Sequence, residues 1–180
     1  MIPVVVIDRL DDAVPLSEAL LRGGISALEI TLRTSEGYAA ISAMKSAFPN
    51  AVIGAGTVCS SDEYRRSVDA GADFVVSPGA SEQLFAAAAS HKVSFVPGAA
   101  TGSEVIFALE RGYSTLKFFP AETSGGEPTI RALSGPFPQV RFMPTGGITL
   151  DNMGRYLSLS SVCAVGGSWL TPSDLLAAQQ

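Results

Sequence analysis

Periodicity constrains this chain more than any single motif. Apolar, strand-like runs begin near Pro3, Ala27, Ala51, Asp73, Ser94, Thr115, Arg141 and Val162, spaced 21 to 26 residues apart. Segments with helical patterning lie between them: Ala13 to Leu21, Glu36 to Ala47, Ser61 to Ala70, Glu82 to Ser90, Ser103 to Gly112 and Leu150 to Leu157. Strands alternating with helices imply a parallel sheet. Eight short, even units predict a (β/α)8 TIM barrel rather than an open doubly wound sheet. An open dinucleotide-binding sheet would carry G-x-G-x-x-G after its first strand, whereas that turn here reads Asp8-Arg9-Leu10-Asp11.

Local signals agree with the period. Ser60-Ser61-Asp62-Glu63 offers a capping serine with an acid three positions on, and Thr149-Leu150-Asp151-Asn152 resembles another helix start. Gly23-Gly24, Gly71 and Gly112 follow helical segments, where glycine accepts the left-handed conformation of a C-cap. No linker or low-complexity segment divides the 180 residues, so a single barrel domain over 1–180 is expected. Ser168-Trp169-Leu170-Thr171-Pro172 leads only into a short helix predicted over 173–178. Barrels of this type run to about 250 residues. The chain therefore reads as shortened at both termini, its final helix missing or short.

Composition removes several function classes. The chain is 47% hydrophobic and 16% charged, yet no run reaches the roughly 18 apolar residues of a membrane helix. A net charge of -5 without a basic stripe argues against nucleic acid and anionic membrane as partners. His91 is the only histidine, which excludes histidine triads and multi-histidine metal sites; it reads as a surface or helix-end residue. Cys59 and Cys163 lack metal-type spacing, so reduced thiols in a cytoplasm are expected. Met1 leads almost directly into Val4-Val5-Val6-Ile7, and no leader peptide is expected.

Chemistry enters with Lys117. Of the three lysines, Lys45 and Lys92 fall where solvation is easy, while Lys117 lies in the apolar strand-like run Ser114-Thr115-Leu116-Lys117-Phe118-Phe119-Pro120. Loss of hydration favours the neutral amine over the ammonium, and a neutral amine attacks carbonyl carbon. A lysine snorkelling from a strand end to water is the bland alternative. Strand alternation puts Glu29, Thr31 and Arg33 on one face and Leu28, Ile30 and Leu32 on the other. In strand six, Lys117 and Phe119 share the inward face. A carboxylate, a guanidinium and an amine are thus expected inside one barrel. They would form either a site or a self-satisfying ionic network, and burying ions is expensive.

Glycine pairs suggest a second feature. Pro144-Thr145-Gly146-Gly147-Ile148 and Val165-Gly166-Gly167-Ser168-Trp169 end strands seven and eight, where this fold usually binds phosphate. Backbone N–H groups at such turns approach an anion closely; a single pair is often only a tight turn. Gly54-Ala55-Gly56-Thr57 reads either as another close approach, with Thr57 as hydroxyl donor, or as a small-residue bend. Ser77-Pro78-Gly79 and Val96-Pro97-Gly98 read as turns. Trp169 reads as packing.

Taken together, Glu29-Ile30-Thr31-Leu32-Arg33-Thr34, Gly54-Ala55-Gly56-Thr57-Val58, Lys117-Phe118-Phe119-Pro120-Ala121-Glu122, Pro144-Thr145-Gly146-Gly147-Ile148 and Val165-Gly166-Gly167-Ser168-Trp169-Leu170 resemble the 2-dehydro-3-deoxy-6-phosphogluconate (KDPG) aldolases, over nearly the whole chain. These are class I aldolases, several of which also cleave 4-hydroxy-2-oxoglutarate. The Leu-Arg-Thr and Phe-Phe-Pro-Ala-Glu wording is closer to the gluconate than to the phosphogalactonate branch. The resemblance implies a homotrimer without metal or cofactor, acting on a phosphorylated keto acid and releasing pyruvate. It implies Lys117 as the Schiff-base lysine and Glu29 as general acid/base. Arg33, Thr57 and Thr145 would bind the substrate carboxylate, and Gly146, Gly147, Gly166, Gly167 and Ser168 the phosphate end. A phosphogalactonate-branch aldolase, another phosphate-binding barrel enzyme, and a non-catalytic trimeric scaffold or phosphate-ligand binder are the rival expectations.

Overall fold

The computed structural model describes residues 1–171. The expected helix over 173–178 lies outside the described residues. In chain order come β1 (Ile2–Val5), α1 (Ala13–Arg22), β2 (Ala27–Thr31), α2 (Gly37–Ala47), β3 (Val52–Gly56), α3 (Ser61–Asp69), β4 (Phe74–Val76) and α4 (Glu82–Ala89). Then follow β5 (Ser94–Val96), β6 (Gly98–Ala99), α5 (Gly102–Leu109), β7 (Thr115–Phe118), α6 (Gly126–Ser134), β8 (Arg141–Pro144), α7 (Met153–Leu157) and β9 (Gly166–Gly167). The architecture is α/β, and every strand pairing is parallel. One sheet runs β5-β4-β3-β2-β1-β9 and another β6-β7-β8.

Helix starts follow the chemistry of their caps. Ser60 accepts from the Glu63 N–H while Glu63 reaches back to the Ser60 N–H, the reciprocal box its sequence predicts. Thr101 and Glu104 do the same for α5, and Ser81 caps α4. Gly24, Gly71 and Gly112 take positive φ of 88°, 93° and 84° after α1, α3 and α5, as C-cap glycines do. The helix expected from Leu150 starts instead at Met153, because Thr149 and Asn152 use their side chains on each other's backbone N–H in front of it. Sequence reading names no helix between Thr115 and Arg141, yet α6 forms there. Pro128 sits in its first turn, where its missing N–H costs nothing, and its Ile130 is fully buried.

Two further expectations need correction. Val96-Pro97-Gly98, read as a turn, is a strand that changes partners: β5 pairs with β4, Pro97 interrupts, and β6 pairs with β7 through Gly98↔Lys117. Pro97 has no N–H for a ladder, but its carbonyl accepts from the Lys117 N–H at 2.9 Å. The strand expected from Val162 is only a bridge to Phe142 there, since the Val162 N–H turns back to Leu159 O. Regular pairing begins at β9, where Gly166 and Gly167 meet Ile2 and Pro3.

Alternation along the strands separates two environments. Val5, Leu28, Ile30, Ile53, Leu116, Phe118 and Phe142 belong to one buried cluster with helix residues such as Ile41, Met44, Leu84, Val105 and Ile130. Each such side chain contributes about 1.5–3 kcal/mol by leaving water. Val4 and Met143 are buried outside that cluster, in register with Glu29 and Lys117. No helix among the described residues is long and apolar enough to cross a membrane. His91 lies half-buried just past α4, its Nδ1 2.8 Å from Ala87 O and its ring 5.7 Å from that of Tyr64.

Candidate active site

β7 delivers Lys117. Leu116 and Phe118 are fully buried in the helix-facing cluster, so the residue between them projects to the opposite face. β2 delivers Glu29 by the same logic, between Leu28 and Ile30. The two side chains meet: Lys117 Nζ donates to Glu29 Oε1 at 3.0 Å, with side-chain exposures of 4% and 0%. Lys117 Nζ also lies 5.5 Å from the centre of the Phe119 ring. The lysine does not snorkel to water.

Nor is the pair a closed ionic network. Glu29 Oε2, Thr31 Oγ1 and Thr145 Oγ1 are buried without a hydrogen-bond partner. An unpaired buried oxygen costs about 1–3 kcal/mol. Such a set suits a cavity that receives a polar ligand better than one that only has to be stable. Arg33 departs from its expected place. β2 ends at Thr31, and Arg33 is exposed beyond it rather than inside with Glu29. The register Thr31↔Gly56 leaves Arg33 and Thr57 just past the ends of neighbouring strands.

The glycines now separate by cause. Gly56 makes room for Glu29, and Gly54 makes room for the Phe74 ring, which a Cβ would meet at 2.3 Å. Neither glycine reflects backbone reserved for a ligand. Thr57, directly after them, adopts φ 62°. This left-handed conformation is an outlier for a β-branched residue and costs on the order of 1–3 kcal/mol; no sequence signal announces it. Gly98 is forced by packing too, since a Cβ would lie 2.3 Å from the Pro78 carbonyl.

The glycine pairs after β8 and in β9 also differ. Gly146 and Gly147 form a true left-handed turn, with φ of 100° and 77°. Gly166 and Gly167 are strand residues with small-residue requirements: a Cβ on Gly166 would meet Thr145 Oγ1 at 2.4 Å, and one on Gly167 would overlap the Trp169 ring at 1.6 Å. Trp169 thus packs, as expected. Thr145 is anchored at both ends of its backbone, its N–H on Phe118 O at 3.0 Å and its carbonyl on Ala121 N at 2.8 Å. A parallel bridge joins Thr145 to Gly166, which brings the two glycine pairs to the same edge; Ser168 beyond them is exposed.

Residues that sequence reading missed stand behind this turn. Glu122 N–H donates to Gly146 O at 3.1 Å, and Asn152 Nδ2 donates to Gly147 O at 2.9 Å. The Tyr156 hydroxyl donates to Glu122 Oε1. Burial, and then the Glu122 carboxylate, push the Tyr156 phenol above its ordinary range. Among the described residues no group of three His, Cys, Asp or Glu side chains gathers as metal ligands would.

Comparison with known proteins gives the family. The family model described as KDPG and KHG aldolase matches residues 1–180. The chain belongs to the KDPG and KHG aldolase family. It is 45% identical over 178 residues to the KHG/KDPG aldolase of Escherichia coli K12, covering 99% of this chain and 84% of that one. It superposes with a TM-score of 0.97 on a KDPG aldolase from Legionella pneumophila holding pyruvate as a covalent carbinolamine, at 46% identity over 99% of this chain and 86% of that one. A Zymomonas mobilis KDPG aldolase with 3-phosphoglycerate gives a TM-score of 0.92 at 44% identity, over 96% and 82% of the two chains.

Proposed function

We propose that this protein is a class I aldolase that cleaves KDPG to pyruvate and glyceraldehyde 3-phosphate, and 4-hydroxy-2-oxoglutarate to pyruvate and glyoxylate. The observation that carries the reading is the buried 3.0 Å pair between Lys117 Nζ and Glu29 Oε1. Its setting supports it: a relative 46% identical holds pyruvate as a carbinolamine. Glu29 accepts a proton from the paired Lys117 ammonium, the freed amine attacks the C2 carbonyl, and the Glu29 carboxyl returns that proton so that the carbinolamine oxygen leaves as water. The iminium then draws electrons. Glu29, directly or through a water, takes the C4 hydroxyl proton. The C3–C4 bond breaks, its electron pair forms the enamine, and the aldehyde leaves. Protonation at C3 and hydrolysis release pyruvate and restore the amine. Covalent catalysis divides a difficult step in two, and a placed carboxylate contributes about 10²–10⁴-fold.

Arg33, Thr57 and Thr145 bind the substrate carboxylate in this reading, Arg33 reaching in from the rim with a bidentate guanidinium. Gly146, Gly147, Gly166, Gly167 and Ser168 receive the phosphate. The ligand of the Zymomonas relative, 3-phosphoglycerate, supports a phosphate end. The reading includes one domain over 1–180 whose strands close into a single (β/α)8 ring. The bridges Thr145↔Gly166 and Phe142↔Val162 and the direct succession of β5 and β6 favour that closure. It also includes the homotrimer that the family resemblance implies, checked by sedimentation equilibrium, and a cytoplasmic setting. Incubation with pyruvate and borohydride, followed by peptide mass spectrometry, tests the chemistry. A pyruvyl adduct on Lys117 is expected. A folded sample without it would reject the aldolase and leave the scaffold.

A further inference from the structure

The Gly146-Gly147 turn has both of its carbonyl oxygens taken by named donors. Gly146 O accepts from the Glu122 N–H at 3.1 Å, and Gly147 O accepts from Asn152 Nδ2 at 2.9 Å. A peptide unit is planar and trans, so its N–H points opposite to its C=O. Holding Gly146 O therefore aims the Gly147 N–H, and holding Gly147 O aims the Ile148 N–H. Neither of these N–H groups donates to a backbone carbonyl among the described residues. Successive amides left open in this way form an anion-binding concavity.

Behind the donors stands a small polar scaffold. Asn152 Oδ1 accepts from the Thr149 N–H at 2.8 Å, and the Asn152 N–H reaches Thr149 Oγ1 at 3.4 Å, which fixes the amide's orientation. Glu122 is clamped from two sides. A Cβ on Gly147 would lie 2.7 Å from Glu122 Cγ, so the turn packs directly on this side chain. The Tyr156 hydroxyl, on a side chain 1% exposed, holds the Glu122 carboxylate against α7. Without that tether a carboxylate beside the turn is free to approach an incoming anion, and like charges repel.

We propose that Asn152 and Tyr156 are positioning residues for phosphate selectivity: Asn152 orients the turn's amides, and Tyr156 keeps the Glu122 carboxylate from the anion. This rests on the reading of Gly146-Gly147 as the phosphate end of an aldolase site. Neither side chain touches substrate. Their effect falls on KM for phosphorylated substrate and leaves the Lys117 chemistry alone.

The test compares Asn152→Ala and Tyr156→Phe with the wild type on KDPG and on unphosphorylated 4-hydroxy-2-oxoglutarate, with inorganic phosphate as a competitive inhibitor. Each variant should raise KM for KDPG and the phosphate inhibition constant about five- to tenfold, the scale of one lost hydrogen bond. Values of kcat/KM for 4-hydroxy-2-oxoglutarate should stay within about twofold. A merely less stable enzyme would lose both activities together, and that result would overturn the proposal. Unchanged selectivity in both variants would also overturn it, while a wild type that prefers KDPG would leave the phosphate end standing. A wild type that cleaves 4-hydroxy-2-oxoglutarate but neither prefers KDPG nor binds phosphate would overturn the phosphate end and the proposal together.

Discussion

Gly56 and Glu29 share one space: a Cβ on Gly56 would lie 2.2 Å from Glu29 Oε1, the oxygen that accepts from Lys117. The glycine is small because the carboxylate must lie across β3 to reach the amine on β7. Gly56→Ala should therefore displace Glu29 before it unfolds the chain. We expect kcat to fall at least about 10²-fold, the lower range for losing a placed acid/base. Overpacking should cost about 1–3 kcal/mol in stability. Steady-state kinetics and urea denaturation on one sample check both, and an unchanged kcat would show that the carboxylate's position is not what the glycine protects.

Removing Lys117 exposes a different cost. Lys117→Ala should abolish turnover and leave the Glu29 carboxylate buried without its cation, a loss of about 3–5 kcal/mol. Lys117→Arg should be just as inactive, because a guanidinium stays protonated and cannot attack a carbonyl. Turnover above a trace in either variant would reject the Schiff-base scheme. Chemical denaturation of the alanine variant measures the ion-pair loss separately.

Thr57 stores strain that its hydroxyl must justify. At φ 62° the residue is strained, and glycine would not be. Thr57→Gly should not lower stability, since relief of about 1–3 kcal/mol of strain offsets the roughly 0.5–1 kcal/mol entropic cost of glycine, while KM rises through loss of the hydroxyl. Thr57→Ser should retain the low KM. A clear drop in melting temperature for the glycine variant would show that threonine's packing outweighs its backbone strain.

Acid sensitivity has a local source at the start of α5. Burial by itself would raise the Glu104 carboxyl, but hydrogen bonds from the Ala100 N–H, the Thr101 hydroxyl and the Thr101 N–H outweigh it and hold the group below its ordinary range. A depressed folded value means that its contribution is present above the ordinary carboxylate range. It is lost as pH falls through the depressed value. Glu104→Gln should flatten the acid limb of a plot of urea midpoint against pH and leave the neutral limb nearly level. Thr101→Ala should cost about 1 kcal/mol at neutral pH. An acid limb identical to wild type would move the sensitivity elsewhere.

Much of the site was legible because strand periodicity is a local property. A residue between Leu116 and Phe118, or between Leu28 and Ile30, must face away from the helices wherever the sheet goes. The Ser60–Glu63 box and the C-cap glycines likewise act within a few residues. Arg33 escaped the same argument. Alternation continues only while the strand does, and β2 ends at Thr31. The Pro97 interruption was also misread, because proline and glycine look alike in a turn and in a strand that changes partners.

By itself the sequence determined the alternation of strands and helices, the inward direction of Lys117 and Glu29, the capping chemistry and the family. Only the tertiary structure decided that residues 88 positions apart meet at 3.0 Å. It alone distinguished the left-handed Gly146-Gly147 turn from the strand glycines Gly166-Gly167, and it alone set Asn152, Tyr156 and Glu122 behind that turn. The reason is physical: backbone preference and side-chain direction are set by near neighbours along the chain. Close approach depends on which strands are adjacent, and no local signal carries that.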